Sequence, residues 1–189
     1  MLDVLGPQDT EVTLVAVLAG RLGEQKQGLP TLEEVRVLPL PEAGRLAWDA
    51  PEGRWRLFAL YENSTEHFVM GGAFPGKEAD ARVVDHLSQR GANALLEGYG
   101  ARVLDGVEAP VRELFVDSFE LLGELPFTTH FLAAFRAQAG YDPRPHLPLL
   151  FRKGGESKYA EMMDVFGRNG GPLYAAPEPE RAERIREDY

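Results

Sequence analysis

Twice between Val83 and Ala139, a short apolar run ends in acidic residues and gives way to a helical pattern. Val83-Val84 leads into Asp85-His86-Leu87-Ser88, then a helical spacing through Ala92, Leu95, Leu96 and Tyr99. Ser88 suits the N-cap of that helix, and Gly98 or Gly100 its end. Leu114-Phe115-Val116 leads into Asp117-Ser118-Phe119-Glu120. A helix is expected next over Thr128 to Ala139, with Phe131, Leu132 and Phe135 as its inner stripe and Gly140 behind it. A short apolar run bounded by polar residues reads as a buried strand. Strand, acidic loop, helix, repeated, is the grammar of a parallel sheet or barrel, which places its chemistry at the C-terminal strand ends. A complete barrel takes about 250 residues, and this chain has 189. The expected fold class is α/β, with partial (β/α) barrel-like βα units over 71–189 preceded by a β-rich portion over 1–70.

The β-rich portion rests on several short runs. Glu11 to Ala19 is β-branched and apolar on both faces, as in a buried strand. Glu34 to Leu40 alternates until Pro39 stops it. Arg45 to Trp48 and Arg54 to Tyr61 flank Ala50-Pro51-Glu52-Gly53, which fits a type I turn. In the second of these strands Trp55, Leu57, Ala59 and Tyr61 share one face, with Arg56, Phe58 and Leu60 on the other. Core packing is the expected role of Trp48 and Trp55, with a sugar-stacking platform as the alternative. Pro143, Pro145 and Pro148 predict an extended segment, and Ser157 to Phe166 a helix with Tyr159, Met162, Met163 and Phe166 on one side. The tail from Pro177 to Tyr189 is polar and helical in pattern, with Glu180 and Arg184 spaced as a solvated i,i+4 pair.

Charge and composition exclude several functions. A formal net charge of -10 and a pI of about 4.9 argue against a nucleic-acid groove or an anionic membrane face. The sequence has no cysteine, so disulfides and thiolate nucleophiles or metal ligands are excluded. The N-terminal MLDVLGPQDT carries neither the basic nor the apolar region of a signal peptide, and no apolar run approaches a membrane span. A soluble product is expected, its compartment left open. No P-loop, no GxGxxG after a strand and no GxSxG elbow supports nucleotide binding or serine-hydrolase chemistry.

The acidic clusters are what remains. Asp117 and Glu120 at one strand end offer a general acid and base, or oxygen ligands for a hard cation such as calcium. The alternative is that Asp117 caps the following turn and Glu120 is solvated. Beside Asp85, His86 offers a proton carrier, a substrate hydrogen-bond donor or a metal ligand, or else the two form a structural hydrogen-bond pair. His67, His130 and His146 have no metal-ligand spacing.

Four stretches taken in order add to this: Ala50 to Glu62 (APEGRWRLFALYE), Val83 to Ser88 (VVDHLS), Leu114 to Gly123 (LFVDSFELLG), and Phe131 to Phe151 (FLAAFRAQAGYDPRPHLPLLF). Together they resemble glycoside hydrolase family 106, the α-L-rhamnosidase-like enzymes, over about residues 45 to 189. The closing Arg186-Glu187-Asp188-Tyr189 is similar to the start of that family's next helix. The resemblance implies a barrel-type catalytic domain that hydrolyses terminal α-linked rhamnose with inversion, using glutamates and a calcium ion. It makes Glu120 the catalytic or calcium-binding carboxylate, with Asp117 orienting it or binding a sugar hydroxyl. It assigns Asp85 and His86 to substrate binding. Leu125-Pro126-Phe127 stands where the family has a tryptophan-containing loop, which makes Phe127 a wall of the sugar subsite. Gln138-Ala139 replaces a basic pair, and Pro145-His146-Leu147-Pro148 departs from the family's PYLP. The expected partner is a carbohydrate. A partial barrel leaves strand edges open, favouring self-association or contact with further parts of a larger chain. On this reading the chain holds only part of an active site; the alternative is a noncatalytic carbohydrate-binding or interaction module.

Overall fold

The computed structural model describes residues 2–3, 12–64, 84–106, 112–113, 125–153 and 170–189. The expected strand and acidic loop over 114–120 and the expected helix over 157–166 lie outside them. An antiparallel sheet is built from β2 (Val12–Lys26), β3 (Leu29–Leu38) and β5 (Trp55–Asn63), in the order β3-β2-β5. A short pair, β1 (Leu2–Asp3) with β4 (Arg45–Leu46), forms a second, two-stranded sheet.

β2 is the central strand because its apolar run has no solvent-facing side. Ala16, Val17, Leu18 and Ala19 are all buried. On one face Val17 and Ala19 pack with Leu38 and Leu46, and Leu14, Trp48, Trp55 and Leu57 close over them. Leu14 shares a face with Val17, three positions on, because a bulge between Leu14 and Ala16 sets two β2 residues against one of β5. The tryptophans meet edge to face, ring centroids 5.3 Å apart, as expected of core aromatics. The link from β2 to β3 is a two-residue turn, Gln27-Gly28, with φ of 53° and 78°. Positive φ at both positions is the type I′ geometry that matches strand twist.

The opposite face is covered by the C-terminal part of the chain. Leu32 packs with Leu149, Tyr174, Ala176 and Ala182, joined by Leu22, Val35, Phe58 and Leu173. The outer edge of β3 is met by a parallel bridge from Thr31 to Ala175. There the Leu32 amide donates to the Ala175 carbonyl at 2.9 Å, and the Ala175 amide to the Pro30 carbonyl at 3.0 Å. An edge engaged in this way has fewer groups open to another chain. Arg56 donates to the Tyr174 hydroxyl at 2.9 Å, and Lys26 to the Pro177 carbonyl at 2.7 Å.

The helical parts are short. α1 (Gln89–Ala94) widens into a π-turn stretch (Leu95–Gly100) and continues as α2 (Ala101–Leu104). The expected stop at Gly98 or Gly100 is corrected: Gly100 keeps helical angles, and the turn ends at Gly106, where φ is +75°. α3 (Phe131–Ala139) buries Phe135 and closes at Gly140, whose amide donates to the Arg136 carbonyl at 3.0 Å. The proline segment is a 3-10 helix (Arg144–Leu149), not extended. Proline fixes φ near −65°, a value common to both conformations. The Asp142 carboxylate decides between them by accepting from the Arg144 amide at 3.1 Å, which starts the turn. α4 (Pro179–Asp188) also departs from expectation, since this charged helix buries Ala182 and Ile185. Burying Ile185 contributes about 1.5–3 kcal/mol. The i,i+4 ion pair of α4 runs from Arg184 to Asp188 at 3.6 Å.

Helices and an antiparallel sheet thus share one chain. Among the described residues no βα unit of a barrel occurs, Val84 and Asp85 belong to no strand, and no helix is long and apolar enough to cross a membrane.

Candidate functional site

Asp85 opens a tight turn that leads into α1. Its Oδ1 accepts from the Leu87 amide at 2.9 Å, the local bond that favours aspartate in turns. The Asp85 carbonyl accepts from the Ser88 amide and the Ser88 hydroxyl, both at 3.4 Å. The Ser88 hydroxyl in turn accepts from the Gly91 amide at 3.0 Å, the N-cap expected from the sequence. Gly91 is required for this winding. A β-carbon there would lie 2.0 Å from the Asp85 carbonyl oxygen.

The turn is anchored from a distant part of the chain. Thr128, itself buried, donates its hydroxyl to Asp85 Oδ2 at 2.7 Å. Both carboxylate oxygens of Asp85 are therefore aimed by the protein. Burial alone would raise the Asp85 pKa. Hydrogen bonds from Thr128, Leu87 and Ser88, with the charge of His86, outweigh burial and hold the carboxyl below the usual aspartate range. Asp85 is a fixed anion with lone pairs left for a ligand hydroxyl. His86 follows it in the turn and is exposed.

Thr128 comes from the Pro126-Phe127-Thr128-Thr129 segment before α3, so the Asp85 bond carries Phe127 to the neighbourhood of the turn. The Phe127 ring packs against Phe131 at 5.3 Å, and Phe131 against Tyr189 at 4.8 Å. The Tyr189 hydroxyl donates to the Pro126 carbonyl, and burial pushes its phenol pKa up. Thr129 donates to Glu62 Oε1 at 2.7 Å, which ties the end of β5 to the same segment. Of the expected site residues, the structure brings together Asp85, His86 and the segment bearing Phe127. Asp117 and Glu120 lie outside the described residues. Thr128 escapes a sequence reading: 43 positions separate it from Asp85, and a threonine before a helix signals only a cap.

The aromatic row continues beyond the Asp85 turn. Phe131 meets Phe135 at 5.7 Å, Phe135 meets Tyr141 at 5.2 Å, and Tyr141 meets His146 at 5.4 Å. Tyr141 donates to Asp188 Oδ2 at 2.7 Å, and the Arg184 guanidinium lies 5.2 Å over its ring. Burial and Asp188 push the Tyr141 phenol up to about 12, against the pull of Arg184. Asp142 would be raised by burial, but bonds from Arg144 and Arg136 hold it below the usual range. Arg181 Nε donates to His146 Nδ1 at 3.0 Å. Burial, then the charges of Arg181 and Arg184, lower the His146 pKa, with Asp142 acting in the opposite direction. A pocket of about 400 Å³ opens here, lined by Tyr141, His146, Glu178, Glu180, Arg181, Arg184 and Ile185. Among the described residues no group of three or more histidine, aspartate or glutamate side chains converges to hold a metal.

Residues 35–166, more than half of the chain, match the family model of glycoside hydrolase family 106, described as alpha-L-rhamnosidase. The matched span contains Asp85, His86, Asp117, Glu120, Phe127 and Thr128. No curated protein and no solved structure matches the chain.

Proposed function

Because this chain belongs to glycoside hydrolase family 106, the alpha-L-rhamnosidase family, we propose that it forms part of a catalytic region that hydrolyses terminal α-linked rhamnosides with inversion. The observation that carries the reading is the family match, whose span includes every site residue expected from the sequence. The fixed, anionic Asp85 supports it. A carboxylate aimed by two donors from separate parts of the chain suits the recognition of sugar hydroxyls, whose positions are equally fixed.

Inversion needs two carboxyl groups about 6.5–9.5 Å apart on opposite faces of the sugar. One protonates the departing glycosidic oxygen. The other takes a proton from water as the water oxygen bonds to the anomeric carbon and the C–O bond to the leaving group breaks. In this reading Glu120 is one of these carboxylates or the ligand of a calcium ion, and Asp117 orients it or binds a hydroxyl. Asp85 accepts from substrate hydroxyls, His86 supplies a second polar contact, and Phe127 forms a wall of the subsite. The barrel-type βα units over 71–189, with 1–70 as a dependent β-rich portion, belong to the same proposal.

The test follows the first-formed sugar by proton NMR while the full-length gene product cleaves an aryl α-L-rhamnoside. Inversion releases the β-anomer first. Release of the α-anomer would contradict the mechanism, and a full-length product that leaves the rhamnoside intact would contradict the activity.

A further inference from the structure

The pocket over Tyr141 and His146 has a lining that the rhamnosidase reading does not use. Arg181 is half-buried, and among the described residues its side chain makes one hydrogen bond, from Nε to His146 Nδ1, and no ion pair. Among the described residues the two end nitrogens of its guanidinium, with their four N–H donors, make no hydrogen bond and no ion pair. A half-buried guanidinium whose end nitrogens lack a direct partner among the described residues has donors to offer a ligand, because desolvating it is unfavourable unless something answers the charge. His146 holds the guanidinium by accepting at Nδ1. Its neutral tautomer then carries the proton at Nε2, where it is a donor. Arg184 is committed differently, stacked on Tyr141 and 3.6 Å from Asp188.

We propose that this pocket binds a sugar bearing a carboxylate, a uronic acid, with Arg181 as the carboxylate-binding residue. The planar end of an arginine matches a carboxylate through two parallel hydrogen bonds. A bare anion would meet Glu178 and Glu180 as well as the two arginines, so charge alone does not select the ligand. The same glutamates accept hydrogen bonds from ring hydroxyls, which a small anion lacks. The volume of about 400 Å³ falls within the range of small-molecule pockets and admits a sugar ring. The side chains come from α4 and Glu178 before it, from Tyr141, and from His146 of the 3-10 helix; α4 and the 3-10 helix pack on the core through Ala182 and Leu149. The choice of a sugar rests on the family reading. The two can fail separately, because rhamnoside cleavage is measured without a uronate.

Calorimetric titration of the chain with D-glucuronate, D-glucose and acetate tests the proposal. Glucuronate is expected to bind in the millimolar range, and glucose and acetate at least about tenfold more weakly, a difference near 1.4 kcal/mol. Arg181→Gln and Arg181→Lys are each expected to lose at least about tenfold of the glucuronate affinity, the lysine variant because a point charge lacks the fork. Should Arg181→Gln not fold, Arg181→Lys with an unchanged melting temperature carries the comparison. Equal binding of glucose or acetate, undiminished binding by folded Arg181→Lys, or no heat from glucuronate would each overturn it.

Discussion

Gly91→Ala separates a helix-propensity effect from a packing requirement, and the two have opposite signs. At an open helical position, alanine in place of glycine stabilises by about 1 kcal/mol. At Gly91 the new β-carbon would sit 2.0 Å from the Asp85 carbonyl oxygen and 2.9 Å from its carbonyl carbon. Ordinary contact needs more than 3 Å, so the two backbones must separate by over an ångström. Neither yields easily, since the Asp85 carbonyl accepts twice from Ser88 and the Gly91 amide is bound to the Ser88 hydroxyl. Overpacking against movable side chains already costs about 1–3 kcal/mol. After the propensity gain, we expect Gly91→Ala to destabilise by about 1–2 kcal/mol. For a chain of this length that lowers the melting temperature by about 2–8 °C. Gly98→Ala is the control, because nothing lies within 4 Å of its added carbon; it should be neutral or stabilise by up to about 1 kcal/mol. Urea denaturation of both variants beside the wild type measures the difference. If Gly91→Ala is as stable as Gly98→Ala, the Asp85 turn is not wound as described.

Other perturbations reach separate parts of the account. The His146 pKa is lowered in the folded chain, so below about pH 6.5 the unfolded chain binds a proton that the folded one resists. Stability should be full above that pH and fall as pH drops below it, and His146→Gln should flatten this loss in melting curves taken between pH 7 and pH 5. Thr128→Val removes the bond to Asp85 Oδ2, so the Asp85 carboxyl should titrate at higher pH in carbon-detected NMR; an unmoved titration would deny Thr128 its role. Ile185→Ala should destabilise by about 2–5 kcal/mol in urea denaturation, because this residue of α4 is 1% exposed. A loss under about 1 kcal/mol would mean that Ile185 is not packed as described.

The sheet was legible where one physical signal dominated. The β-branched run from Glu11 to Ala19 marks a strand covered on both sides, and β2 buries its part from Ala16 to Ala19. Pro39 stops β3 at Leu38. Phe131, Leu132, Phe135 and Gly140 announce α3 and its end. The misses arise where a local signal is ambiguous or the partner is remote. Gln27 at positive φ gives no warning in sequence, which hides the hairpin turn. Prolines look alike in extended and 3-10 backbone until Asp142 bonds the Arg144 amide. In α4 the charges mask the three-residue step from Ala182 to Ile185. Asp85 and Ser88 could be singled out because they act on neighbouring amides. The anchor of Asp85 on Thr128, and that of His146 on Arg181, depend on tertiary packing that no local pattern encodes.

Hydrolysis of an aryl α-L-rhamnoside by the full-length gene product, wild type against Glu120→Gln and Asp85→Asn, tests the functional account most directly. Positioned acid–base groups contribute about 10²–10⁴-fold to rate. Glu120→Gln is therefore expected to lose at least about 100-fold in kcat with its melting temperature kept. Asp85→Asn should lose about tenfold in kcat/KM, through weaker sugar binding at a turn that still folds. Wild-type turnover by both variants would contradict the assignment of this chain's carboxylates to a rhamnosidase site.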